Sequence, residues 1–158
     1  MIYHEEIEDG LFVGRGFLEN GKKEGVWNYF YDTGELKQET EYSDGIENGL
    51  YKFFSKDGAL LIISTHRNGL LNGEWTEYYE DGRLKEIGHY IDNEYSPMDF
   101  WDNAGNQILK NGTGKKIEEY GSTLLVDVYE QYYNEGQFVK EIKIQGYKVL
   151  GFSPKDKK

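Results

Sequence analysis

The residues with chemical potential are few in kind. There are 3 histidines, no cysteine, and 29 acidic side chains against 18 lysines and arginines in 158 residues. His4, His66 and His89 stand alone, without an H-E-x-x-H pair or a second His/Cys ligand at metal spacing. With this many carboxylates, chance pairs are expected, so acid–base catalysis cannot be read from them. The stretch GTGKK, residues 112–116, resembles the end of a phosphate loop. The glycine such a loop needs upstream is Leu109, which argues against nucleotide binding. GRGF, residues 14–17, reads as a turn and not as a dinucleotide fingerprint. No catalytic residue, metal site or cofactor is expected.

What remains is binding chemistry. Acids and rings interleave in EWTEYYED, residues 74–81, and in YEQYYNEG, residues 129–136. Tyr and Trp are preferred anchors of protein interfaces. Carboxylates around them pair with Arg or Lys of a partner. The candidate partner-binding residues are Trp27, Tyr29, Tyr31, Tyr51, Glu74, Trp75, Glu77, Tyr79 and Glu80. A solvated strand face would also carry such residues. The net charge of −11 disfavours nucleic acid and anionic membranes and suits a basic protein partner. The same charge would keep a ring-rich chain soluble. The acidic N-terminus MIYHEEIEDG has no secretory pattern and no apolar spanning run is present, so a cytoplasmic location is expected.

The elements that must position these residues repeat. GVWNYFYDTGEL at 25–36 returns as GLYKFFSKDGAL at 49–60 and GEWTEYYEDGRL at 73–84, with looser copies at 98–108 and 127–138. Turn glycines fall at Gly10, Gly34, Gly58, Gly82, Gly105 and Gly136, separated by 24, 24, 24, 23 and 31 residues. A fixed period of this kind marks a repeat architecture. Each copy reads as strand, tight turn, strand, then a second turn such as Asn20-Gly21, Asp44-Gly45 or Asn68-Gly69. A three-residue loop with a glycine bulge would place Phe30 opposite Leu36, Phe54 opposite Leu60, Tyr78 opposite Leu84 and Tyr132 opposite Phe138. The fold class expected is all-β, an elongated, twisted, single antiparallel sheet of tandem hairpins in about six units. One domain covers 1–152, with units near 1–24, 25–48, 49–72, 73–95, 96–126 and 127–150. A charged tail occupies 153–158.

Side chains alternate across a strand. Phe30, Phe54, Tyr78, Trp101 and Tyr132 then share one face and are expected as core. Trp27, Tyr51, Trp75 and Tyr129, with Tyr29, Tyr31, Tyr79 and Tyr133, lie on the other face unless a bulge at Gly25 or Gly49 intervenes. That second face could bind a partner. A single-layer sheet also needs rings on both faces to shield its backbone. His66 takes the place of Tyr42 and Tyr90 in the repeat and reads as structural.

The pattern G-x-W-x-x-[YF]-[YF]-x-x-G-x-L…Y-x-x-G resembles the variant MORN repeat. It is carried most fully by Gly25, Trp27, Phe30, Gly34, Leu36, Tyr42 and Gly45 and by Gly73, Trp75, Tyr78, Gly82, Leu84 and Tyr90. The resemblance implies an elongated sheet of hairpins without a catalytic motif. Chains of this size built from these repeats resemble the YwqK-type antitoxins, which implies a cytosolic antitoxin or immunity protein that neutralises a cognate, basic toxin. The alternatives are a scaffold or membrane-associated module, and a carbohydrate binder using its aromatic face. The pattern departs at NEYSP, residues 93–97, where the turn glycine is lost and Pro97 would kink the sheet or shift it to an edge. It departs again at the insertion 110–126, readable as a distorted repeat, a bulge or a loop. The acidic first strand and the charged tail would discourage end-to-end sheet pairing.

Overall fold

The computed structural model describes residues 1–121 and 126–148, and these form strands joined by short turns. The strands are β1 (Ile2–Glu8), β2 (Leu11–Glu19), β3 (Lys22–Phe30), β4 (Leu36–Ser43), β5 (Ile46–Phe54), β6 (Leu60–Arg67), β7 (Leu70–Tyr78), β8 (Leu84–Ile91), β9 (Glu94–Trp101), β10 (Gln107–Lys110), β11 (Thr113–Gly121), β12 (Val126–Asn134) and β13 (Gln137–Lys148). Every neighbour in the sheet is a neighbour in sequence, with no crossover. The all-β fold of tandem antiparallel hairpins is therefore as expected. The chain divides into two compact units, Met1–Pro97 and a second beginning at Met98. The break falls at Pro97, which is buried inside β9.

Two kinds of turn occur in the first unit, and they alternate from β2 onward. At Tyr31–Glu35, the amide of Gly34 donates to the carbonyl of Tyr31 (2.9 Å) and that of Tyr31 to Glu35 (2.9 Å). The same pair of bonds recurs at Ser55–Ala59 and Tyr79–Arg83, and in the second unit at Asp102–Asn106. This is the bulged three-residue loop, and it sets Phe30 against Leu36, Phe54 against Leu60 and Tyr78 against Leu84 as expected. The fourth pairing differs. Glu135-Gly136 forms a two-residue turn, so Phe138 pairs with Tyr133 and Tyr132 with Lys140. Both turn residues take positive φ (50° and 76°), which the bulged loop requires only at its glycine.

The other turns are two-residue turns with both φ positive: Asp9-Gly10, Asn20-Gly21, Asp44-Gly45, Asn68-Gly69 and Asp92-Asn93. Asn93, at φ 71°, replaces the glycine missing from NEYSP because Asn tolerates the left-handed region. Successive turns are tied together. The amides of Gly45, Gly69 and Asn93 donate to the carbonyls of Lys23, Glu47 and Leu71. The insertion at 110–126 contains a further turn at Asn111-Gly112 leading into β11, and residues 122–125 within it lie outside the described residues. The expected tail, 153–158, also lies outside them.

Bulges at Gly25, Gly49 and Gly73 do intervene. Between Arg15↔Asn28 and Phe17↔Glu24, β2 advances two residues while β3 advances four. The same step recurs between β4 and β5 and between β6 and β7. Two extra residues preserve the alternation, so Trp27 keeps its face. One row then crosses six strands: Trp27, Thr40, Tyr51, Ser64, Trp75 and Gly88, each directly opposite the next. Large rings from β3, β5 and β7 alternate with small residues from β4, β6 and β8. Gly16 of β2 extends the pattern beneath the Trp27 indole. This is the core of the first unit. Trp27 is 0% exposed, and Gly16, Thr40, Ser64 and Gly88 are buried.

The expected core is thereby corrected at its centre: the fully buried ring is Trp27, not Phe30. Phe30, Phe54 and Tyr78 are half-buried on the opposite face, as Tyr51 and Trp75 are in the Trp27 row. Phe30 packs against Phe12 (5.1 Å between ring centres), with the Arg15 guanidinium 4.9 Å above it. The physical reason is volume. The small residues at 16, 40, 64 and 88, themselves 24 apart, leave room for indoles and phenols on one face.

Candidate functional site

The tryptophan face of the first unit is rich in the expected binding residues, and most of their polar atoms already have internal partners. The Trp27 indole donates to the carbonyl of Phe17 (3.0 Å). Lys23 lies 4.4, 5.0 and 5.4 Å from the rings of Trp27, Tyr29 and Tyr42. Its ammonium also donates to the Tyr29 hydroxyl (2.7 Å) and pairs with Glu6 (2.9 Å). The Tyr29 and Tyr42 hydroxyls share a hydrogen bond of 3.1 Å, and Tyr42 donates to Glu47 (3.3 Å). Glu47 then faces His66 at 3.4 Å, and the His66 ring packs on Tyr51 (5.7 Å between ring centres).

Burial, followed by the bond to Tyr29, pushes the Tyr42 phenol well above its ordinary range. Burial likewise raises Tyr29 and Tyr51. Tyr95 is raised furthest, by burial and by the charge of Glu86, to which its hydroxyl donates at 2.6 Å. All four remain neutral donors at physiological pH. Such a network rigidifies a sheet and leaves little for a ligand.

The hairpin ends differ. A shallow groove of about 390 Å³ opens where β5–β8 meet the bulged loop of residues 79–83. Its lining is apolar at Phe53, Leu61 and Ile62, phenolic at Tyr78 and Tyr79, and charged at Glu77, Glu80 and Lys85. Lys85 reaches the lining through a register shift. Tyr78 pairs with Leu84 and Glu77 with Glu86, so Lys85 is the extra residue of a bulge. It pairs with Glu77 at 2.7 Å. The main chain of Tyr79 is held at both its amide (2.8 Å to Arg83) and its carbonyl (2.9 Å from Gly82), so the loop sets where this ring stands. The Arg83 guanidinium sits 5.5 Å from the Tyr79 ring and pairs with Asp81 (2.7 Å). Glu80 is exposed. A lining of apolar side chains, phenols and carboxylates suits a side chain with an aliphatic stem and a cationic head.

The expected residues therefore separate into groups. Glu77, Tyr79 and Glu80 converge on the groove. Trp27 is core and cannot meet a partner, which corrects its place among binding rings. Tyr29 and Tyr51 are half-buried in the same face. Trp75 packs edge-on against Tyr95 (5.6 Å). Glu74 is exposed but pairs with His89 in the ladder, which puts it on the opposite face from Trp75. The Tyr31 hydroxyl donates to the carbonyl of Phe54 (2.7 Å), and Lys37 and Lys56 flank its ring, so its surroundings are cationic. Phe53, Leu61, Ile62 and Lys85 were not anticipated. Their signal was the second-strand bulge, which period-two reading passes over.

Among the described residues, no group of three or more His, Asp or Glu could hold a metal ion, and no helix is long and apolar enough to cross a membrane. No curated protein matches the chain. Residues 23–44 and 71–92, each running from the start of one repeat through its bulged loop to the next two-residue turn, match the model of the MORN repeat variant family. The hairpin between them, β5–β6, has the same register shifted by 24 residues. The chain is thus a β-hairpin repeat protein, two of whose repeats match the MORN repeat variant family.

Proposed function

We propose that the chain is a non-enzymatic binding module for a basic protein, acting in the cytosol as an antitoxin or immunity protein. The groove between β5–β8 and the 79–83 loop carries this reading. It is the place where expected binding residues stand together with apolar side chains and an exposed carboxylate, Glu80. The net charge of −11 supports a cationic partner, whose approach it would accelerate. The neutralising role draws on the likeness of the repeats to YwqK-type antitoxins.

The test is affinity capture from the native cell with wild-type protein and the Tyr79→Ala/Glu80→Lys variant as baits, at low and high salt. The expected result is one basic protein, retained by the wild type, released by salt and bound at least roughly 30-fold more weakly by the variant, the loss typical of removing an interface anchor. The captured protein should arrest growth when expressed alone and be silenced by co-expression of the wild type. Equal affinity for a folded variant would remove the groove from the proposal. A captured protein without toxicity would remove the antitoxin role.

A further inference from the structure

The two strands at the ends of the strand order carry opposite charge. Strand β1, IYHEEIE, holds three glutamates and no lysine or arginine. Strand β13, QFVKEIKIQGYK, holds three lysines against one glutamate, in a chain whose overall balance is −11. Among the described residues β1 pairs with β2 and β13 with β12, so each presents one row of backbone amides and carbonyls outward. Both also expose apolar side chains, Ile2 (74%) and Ile7 (65%) on β1, Phe138 (58%) and Val139 (57%) on β13. Edges of this kind template pairing with another strand unless something opposes it.

Like charges opposite one another destabilise a strand pair, and opposite charges stabilise it. A β1–β1 contact would bring the glutamates of both copies into one ladder, and a β13–β13 contact the lysines of both. The charges thus disfavour both two-fold dimers and leave the unlike pair, so the acidic first strand, expected to discourage end-to-end pairing, does so only toward its own kind. We infer that a second copy of this chain docks its β13 edge onto the β1 edge of the first, joining copies head to tail. Such a contact is heterologous, so it continues from copy to copy, ending either in a closed ring or in an open filament. Glu6 takes no part, because Lys23 already neutralises it. Lys140 and Lys143 are exposed while lying over the Tyr132 and Tyr129 rings (4.7 and 5.7 Å), which holds their ammonium groups on the strand.

The experiment is sedimentation velocity over a range of protein concentration at low salt. Wild-type protein should associate, and the association should weaken as salt rises. Glu5→Lys/Glu8→Lys gives a chain with two basic edges, and Lys140→Glu/Lys143→Glu one with two acidic edges. Each alone should raise the dissociation constant by roughly tenfold or more. Mixed in equal amounts they should associate again, since unlike edges then meet between the two variants. Circular dichroism melts matching the wild type would show that both fold, and the Gln variants at the same positions provide a milder pair. A wild type that stays monomeric throughout, variants that associate as the wild type does, or a mixture that remains silent would each overturn the inference.

Discussion

Trp27→Ala is expected to destabilise the first unit by about 3–5 kcal/mol, the range for losing a buried aromatic side chain and leaving a cavity. No other ring among the described residues is so completely buried: the indole is 0% exposed. It lies over Gly16, faces Thr40 across the ladder and contacts Tyr29, Tyr42 and Lys23. Small domains are stable by only about 5–15 kcal/mol, so this loss is a large share of the total. Urea unfolding followed by circular dichroism reads it directly. Trp27→Phe should lose less, because most of the ring area stays and only the indole donor to the Phe17 carbonyl goes. A loss for Trp27→Ala within about 0.5 kcal/mol of zero would mean the ring is a surface residue after all.

Gly16→Ala has the second largest expected effect, and its sign opposes propensity. A glycine inside a strand ordinarily costs roughly 0.5–1 kcal/mol relative to alanine, so the substitution should stabilise if nothing else acted. Here a Cβ at position 16 would lie 2.5 Å from two indole carbons of Trp27. The indole has nowhere to go, because Thr40 and the neighbouring rings hold it. Overpacking of this kind costs about 1–3 kcal/mol. The same substitution in the Trp27→Ala background should be neutral or stabilising, since its obstacle is gone. The double-mutant cycle isolates that coupling. An additive result would show that Gly16 and Trp27 do not share the packing described.

Much of the fold was legible because turn chemistry repeats at a fixed interval. Glycine after Thr33, Asp57 and Asp81 announces a bulged loop, and the register of three hairpins follows from it. The fourth failed at Glu135-Gly136, since an acid followed by glycine serves a two-residue turn equally well. The faces were separated correctly, but the fully buried ring is Trp27 rather than Phe30. Alternation assigns rings to sides but says nothing of which side is denser. That information sat in Gly16, Thr40, Ser64 and Gly88, small residues that are easily overlooked beside Trp and Tyr. For the candidate site, Glu77, Tyr79 and Glu80 could be picked by type and spacing. The groove that unites them depends on the Lys85 bulge, a backbone feature with no residue signature of its own.

The most direct test of the binding account is hydroxyl-radical footprinting of the protein alone and in complex with its captured partner. Oxidation reports solvent access ring by ring. The account predicts that Tyr78 and Tyr79 become protected in the complex, that Phe12 and Phe30, which line no part of the groove, stay as reactive as before, and that Trp27 is unreactive in both states. Protection of Phe12 and Phe30 with Tyr78 and Tyr79 unchanged would contradict it and move the binding surface away from the groove.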